Sequence, residues 1–156
     1  MSHGAVVVDA NLLVLFVVGR TSPGLIGHHK NLRAYAMSDF ALLQAWLQPA
    51  SKLLATANIL TETSNLLGQI GEPHRTRIFT VFQALMHSVE VIEEFYVPGK
   101  TAAARPEFVR LGLTDAALLI EQTNDFTLLT ADGPLYVAAL NAGRKAVNFN
   151  HIRDQI

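Results

Sequence analysis

The chain contains no cysteine, which excludes a disulfide framework, a thiol nucleophile and thiolate-bound zinc, and leaves oxygen and imidazole as the donors for any metal. Charge of one sign is missing as well. Twelve Lys and Arg stand against 13 Asp and Glu, a formal net charge of −1. Bulk electrostatic coating of nucleic acid needs a strong basic excess and is excluded, although local clusters of cations around a site are not. Long apolar runs are absent: Ala5 to Val8 and Leu12 to Val18 fall far short of the ~20 residues that span a bilayer. The opening Met1-Ser2-His3-Gly4 lacks the positive flank and small-residue cleavage site of a secretion signal. The expectation is a cytoplasmic protein with no membrane-bound part.

What is present fits one domain over residues 1–156, half of it hydrophobic and so able to bury a sizeable core. Ala5 to Asp9 (AVVVD) is a β-branched run without polar alternation, the pattern of a strand buried on both faces. A buried helix is expected over Asn11 to Val18, ending near Gly19, then a loop from Arg20 to Lys30 around Ser22-Pro23-Gly24 and the pair His28-His29. Further helices are expected over Asn31 to Leu47, closed by Pro49, over Asn58 to Leu67, and from Pro73 through Met86. Ala102 to Leu111 reads as one helix and Thr114 to Gln122 as another, capped by Thr114. Lys52 to Thr56, Val89 to Ile92, Phe126 to Thr130 and Ala146 to Phe149 read as strands, with a helix over Gly133 to Asn141. Short buried strands alternating with helices predict an α/β fold: a three-layer α/β/α sandwich around a central, mostly parallel sheet.

In such sheets chemistry gathers beyond the carboxyl ends of the strands. Asp9 ends the first strand and Asp132 lies two residues past FTLLT, at the same expected edge. Each also has an ordinary explanation, as a helix N-cap or turn residue. Asp115 opens a helix, where the dipole welcomes an acid whatever its function. Glu62 is harder to dismiss, because no Lys or Arg lies three or four residues away to pair with it. Four carboxylates at one edge would raise one another's pKa unless a cation neutralised them. The set therefore implies a metal, and oxygen donors without thiolate favour the hard ions Mg²⁺ and Mn²⁺. Such ions keep bound waters and suit hydrolysis of a phosphodiester, with one ion or with two.

These residues resemble the PIN-domain nucleases, in particular the VapC-like toxins of toxin–antitoxin pairs, over nearly the whole chain. VVVDANLLV at 6–14 is similar to the family's first strand and acid, ILTETSNLL carries the acid of its second motif, and GLTDAAL and LLTAD are similar to the third and fourth. The resemblance implies that Asp9, Glu62, Asp115 and Asp132 are the catalytic, metal-binding carboxylates, with Asn11 and Thr130 as supporting hydrogen-bonding positions. It implies a Mg²⁺- or Mn²⁺-dependent endoribonuclease of single-stranded RNA, an antitoxin protein as partner if the chain is a toxin, and a homodimer. The chain departs from the pattern at Ala10, where many members carry Ser or Thr, and in the long stretch from Gly19 to Ser51 with its His28-His29 pair. Those two histidines are expected to be surface loop residues. Trp46 and the phenylalanines are expected in the core. A haloacid-dehalogenase-type phosphatase would need a second Asp where Asn11 stands. An inactive nuclease-like scaffold or RNA-binding domain stays open, and substrate-binding residues are not assigned.

Overall fold

The computed structural model describes residues 4–88, 91–121 and 125–155. Strands β1 (Gly4–Val8), β2 (Ala50–Thr56), β3 (Ile92–Phe95), β4 (Thr127–Thr130) and β5 (Lys145–Asn148) form one sheet in the order β3-β2-β1-β4-β5. Every pairing is parallel, so the sheet is wholly rather than mostly parallel. Helices flank it, in the arrangement of a three-layer sandwich. Val6, Val7, Leu128 and Leu129 are all at most 1% exposed, which is why these strands read as continuous apolar runs. The charged edge lies at β3, where Glu93 and Glu94 are exposed and Lys52 pairs with Glu93 at 2.7 Å. An edge strand carrying charge resists pairing with another sheet.

Helix α1 (Ala10–Thr21) follows β1 and packs against α2 (Met37–Leu47), α3 (Ala57–Leu67) and α4 (His74–His87). It is buried nearly all round, from Leu12 to Gly19. The expected end at Gly19 is corrected to Thr21: this glycine is a contact, not a terminator. A Cβ there would sit 2.1 Å from the Phe40 ring, so the missing side chain is what lets α2 close on α1. The stretch 20–30, expected as loop, holds a 3₁₀ turn over Pro23–His28, and a second covers Lys30–Leu32.

Helix α2 begins at Met37 rather than Asn31, because the Asp39 carboxylate accepts the Ala36 N–H at 2.8 Å and fixes the start there. The single helix expected over Ala102 to Leu111 is two, α5 (Gly99–Ala103) and α6 (Phe108–Leu111). Pro106 lies between them, and a proline neither donates to the helix ladder nor allows the residue before it to stay helical. Helix α7 (Leu113–Leu118) is capped by Gly112 at φ +87°, a conformation that suits glycine, and Thr114 is inside the helix rather than its cap. The helix ends at Leu118 with Leu119 as its C-cap, short of the expected Gln122, which itself lies outside the described residues. Val89, where β3 was expected to begin, lies outside them too; the described start of that strand is Ile92, opposite Leu53. Helix α8 (Gly133–Asn141) has the expected bounds. Phe149 does not end β5. It opens a five-residue helix, α9 (Phe149–Arg153), with Asn148 accepting the Asn150 N–H at 2.9 Å as its cap.

The chain leaves β1 toward β2 and β3 on one side and reaches β4 and β5 on the other. Right-handed crossovers then send the following helices to opposite faces. The adjacent carboxyl ends of β1 and β4 form the switch point at which open α/β sheets carry their crevice. Among the described residues no helix is long and apolar enough to cross a membrane.

Candidate functional site

Asp9 and Asp132 stand at that switch point. The Asp9 N–H donates to the Leu129 carbonyl at 3.0 Å, joining the end of β1 to β4. Both side chains are N-caps, so the ordinary explanation holds for each. Asp9 Oδ1 accepts the Ala10 N–H at 2.8 Å and Asp132 Oδ1 accepts the Leu135 N–H at 3.1 Å. Capping does not exhaust the two groups. Thr130, fully buried, donates its hydroxyl to Asp9 Oδ2 at 2.7 Å and accepts the Asp132 N–H at 3.0 Å. One threonine thus sets the position of both aspartates. No described residue donates to Asp132 Oδ2.

Asp115 is carried by α7, which the small cluster of Val97, Ala102, Ala116 and Ala117 fastens to α5. Glu62 is exposed on α3, whose buried stripe of Ile59, Leu60, Thr63 and Leu67 faces inward. Neither carboxylate accepts a hydrogen bond from a described residue. The ion pairs among the described residues are Lys52–Glu93, Arg105–Glu107, Lys145–Asp125 and Arg153–Asp39. None includes any of the four acids.

The four are nevertheless within electrostatic reach of one another. Burial pushes the Asp115 carboxyl up to about 7, and Asp9, Asp132 and Glu62 push it the same way. Asp9 is also raised, by burial first; its bonds from Thr130 and Ala10 work against this, and Asp132 and Glu62 add to it. Carboxylates this near one another raise each other's pKa where no cation is paired with them. Among the described residues, however, no three His, Asp or Glu side chains stand close enough to hold one ion between them. The donor chemistry suits Mg²⁺ or Mn²⁺ on other grounds. Hard ions of this kind are commonly held through one or two carboxylates and several waters. Asn11, the other expected supporting position, is exposed, and its side chain bonds to no described residue.

Two depressions flank the acids. One of about 370 Å³ is lined by Asn58, Thr61, Glu62 and Asn65 of α3 and by Thr114 beside Asp115. The other, of about 560 Å³, begins at Gly133 next to Asp132 and includes Arg110, Tyr136 and His151. A third cavity of about 500 Å³ lies at the opposite, amino-terminal end of the sheet, around Arg20, Ala50 and Lys52, and takes no part in this site.

The long segment between α1 and β2 reaches the site through Arg153. Its guanidinium donates to Asp39 at 2.9 Å, to the Ala34 carbonyl at 2.9 Å and to Asn150 at 3.0 Å, and lies over the Tyr35 ring at 5.0 Å. Asn150 in turn donates to the Ala131 carbonyl at 3.3 Å, next to Asp132. Tyr35 is close enough to Asp9 for that carboxylate to raise its pKa, after burial as the main cause. None of these residues stood out in the sequence; the visible signal was limited to a cation in the last turn of the chain.

The expectation of surface histidines is half corrected. His28 is exposed and stacks with His74, ring centres 6.3 Å apart, but His29 is 1% exposed. His29 Nδ1 accepts the Asn31 N–H at 3.3 Å and Nε2 lies 3.3 Å from the Leu67 carbonyl. This ring fastens the segment to the end of α3. Among the aromatic residues Phe149 is fully buried while Trp46 is half-buried against the core.

Comparison of the chain with protein-family models, with curated proteins and with solved structures returns no match.

Proposed function

We propose that the chain is a metal-dependent endoribonuclease of PIN-domain type that cleaves single-stranded RNA. The observation that carries this reading is that Asp9 and Asp115 are both raised, by burial first and then by the nearby charges of Asp132 and Glu62, with no cation paired to any of the four among the described residues. Asp9, Glu62, Asp115 and Asp132 would hold Mg²⁺ or Mn²⁺ through one or two direct carboxylate contacts and bound waters, and the ion would supply a water of lowered pKa and neutralise charge on the phosphate. The chain's own part is to orient and to exclude. Thr130 holds Asp9 and Asp132 in register, and the backbone caps consume one oxygen of each. Asp132 Oδ2 and the carboxylates of Asp115 and Glu62 stay available to bind and to accept the proton of the attacking water. The new P–O bond forms from that water as the phosphodiester P–O bond breaks, and the leaving oxygen takes up a proton.

RNA as substrate, a toxin role with an antitoxin partner, a homodimer and a cytoplasmic location belong to the same proposal and rest on the motif resemblance. The test is cleavage of a labelled single-stranded RNA with Mg²⁺, Mn²⁺ or EDTA. Metal-dependent cleavage lost in both Asp9→Asn and Asp115→Asn supports the reading. The second reading, an inactive scaffold or RNA-binding domain, draws on the lack of three closely converging donors among the described residues. It prevails if the wild type cleaves neither RNA nor DNA and binds no Mn²⁺ by calorimetry.

A further inference from the structure

The depression next to Asp132 has features that neither the acids nor the core require. It holds about 560 Å³, is lined from α6, α8 and α9, and shares no lining residue with the depression at Glu62. Tyr136 and His151, both in its lining, pack edge to face against each other, ring centres 5.5 Å apart and planes at 86°. Arg110 lines it, and its guanidinium is exposed and engages no described residue in an ion pair or hydrogen bond. Asn141 and Asn148 also line it, beside the apolar Pro134, Val137 and Ala138. Arg105, five residues before Arg110, is by contrast engaged, pairing with Glu107 at 2.8 Å.

We propose that this pocket binds one nucleotide of single-stranded RNA adjacent to the scissile phosphate, the base against Tyr136 and His151 and its phosphate on Arg110. A flat π-face beside an unpaired guanidinium matches the two chemistries of a nucleotide, and amides can meet a base edge without adding charge. Position supplies the rest. The pocket includes Gly133, the residue after Asp132, so it begins at the helix start that carries one of the four acids. This assignment deepens the nuclease reading and rests on it for the phrase "scissile phosphate", but nucleotide binding in the pocket is testable without cleavage.

The experiment is an ¹H–¹⁵N NMR titration of the metal-free protein in EDTA with 5′-AMP, with 5′-UMP and with inorganic phosphate, alongside steady-state RNA cleavage in Mn²⁺. Nucleotide-induced shifts confined to residues 133–141 and 148–151 and to Arg110, and weakened about tenfold in Tyr136→Ala, are the expected result. Tyr136→Phe restores them because it keeps the π-face, and the exposed Arg110→Gln serves if Tyr136→Ala fails to fold. In cleavage, Tyr136→Ala and Arg110→Gln raise KM about tenfold with kcat little changed. Identical shifts from phosphate alone, shifts elsewhere, or cleavage with an unaltered KM in both variants overturn the pocket while leaving the nuclease reading intact. Pocket shifts in a wild type that cuts no RNA support the pocket and defeat the nuclease reading.

Discussion

Asp115→Asn is expected to stabilise the metal-free protein, although it removes a group proposed to be essential. With burial and three neighbouring acids holding its carboxyl up to about 7 in the folded state, folding takes up a proton between the unfolded value of 3.8 and that level. Stability contributed by this group is therefore full below the unfolded value and declines as pH rises toward about 7. The gap is worth about 4 kcal/mol at most, at ~1.4 kcal/mol per pH unit. Asp115 is partly exposed and its charge is screened by water, which reduces the expected gain in the variant to about 1–2 kcal/mol. The assay is urea denaturation in EDTA at pH 4 and pH 8. The variant should match wild type at pH 4 and exceed it at pH 8, and millimolar Mn²⁺ should narrow the difference at pH 8 by stabilising wild type. A variant no more stable than wild type at pH 8 in EDTA refutes the electrostatic reasoning.

Thr130→Val removes the hydroxyl that joins Asp9 to the Asp132 backbone; it should cost about 1–3 kcal/mol in denaturation and reduce Mn²⁺ affinity by calorimetry, and unchanged values of both would separate this threonine from the site. Arg153→Ala cuts the tie from α9 to Ala34 and Asp39; a loss of about 1–2 kcal/mol is expected, with faster hydrogen exchange at residues 34–39, and protection equal to wild type would show the segment is held by other contacts. Gly19→Ala drives a methyl into the Phe40 ring and should destabilise by about 1–3 kcal/mol, whereas a neutral effect would mean that α2 shifts without penalty.

The strands were legible because a buried parallel strand leaves an unbroken apolar run, as at Val6–Val8 and Leu128–Leu129. The bounds of α8 were legible because Asp132, Gly133 and Pro134 punctuate its start. Elsewhere the local pattern misled for identifiable reasons. Asn31 to Leu47 has helical spacing throughout, yet the helix waits for Ala36 because Asp39 caps it there. Pro106 divides a stretch whose alanines suggest one helix, and Gly19 marks close packing where a glycine more often marks an end. The placement of Asp9 beside Asp132, both bonded to Thr130, could be anticipated from the sheet-edge rule, since the ends of β1 and β4 are adjacent at the switch point. The Arg153 tie to Asp39 could not, because it joins residues 114 apart through a geometry that no periodicity encodes. The same holds for His29, which looks like half of a loop pair and is buried against the Leu67 carbonyl. The pocket at Arg110, Tyr136 and His151 escaped for that reason too: its members come from three helices, one of them unforeseen.

Manganese anomalous diffraction from a crystal soaked in Mn²⁺ tests the proposed centre most directly, since it locates the ion without reference to activity. The expected result is an anomalous peak among the carboxylates of Asp9, Glu62, Asp115 and Asp132, lost in Asp115→Asn. Ordered carboxylates with no peak between them at millimolar Mn²⁺, or a peak only elsewhere on the molecule, would contradict it.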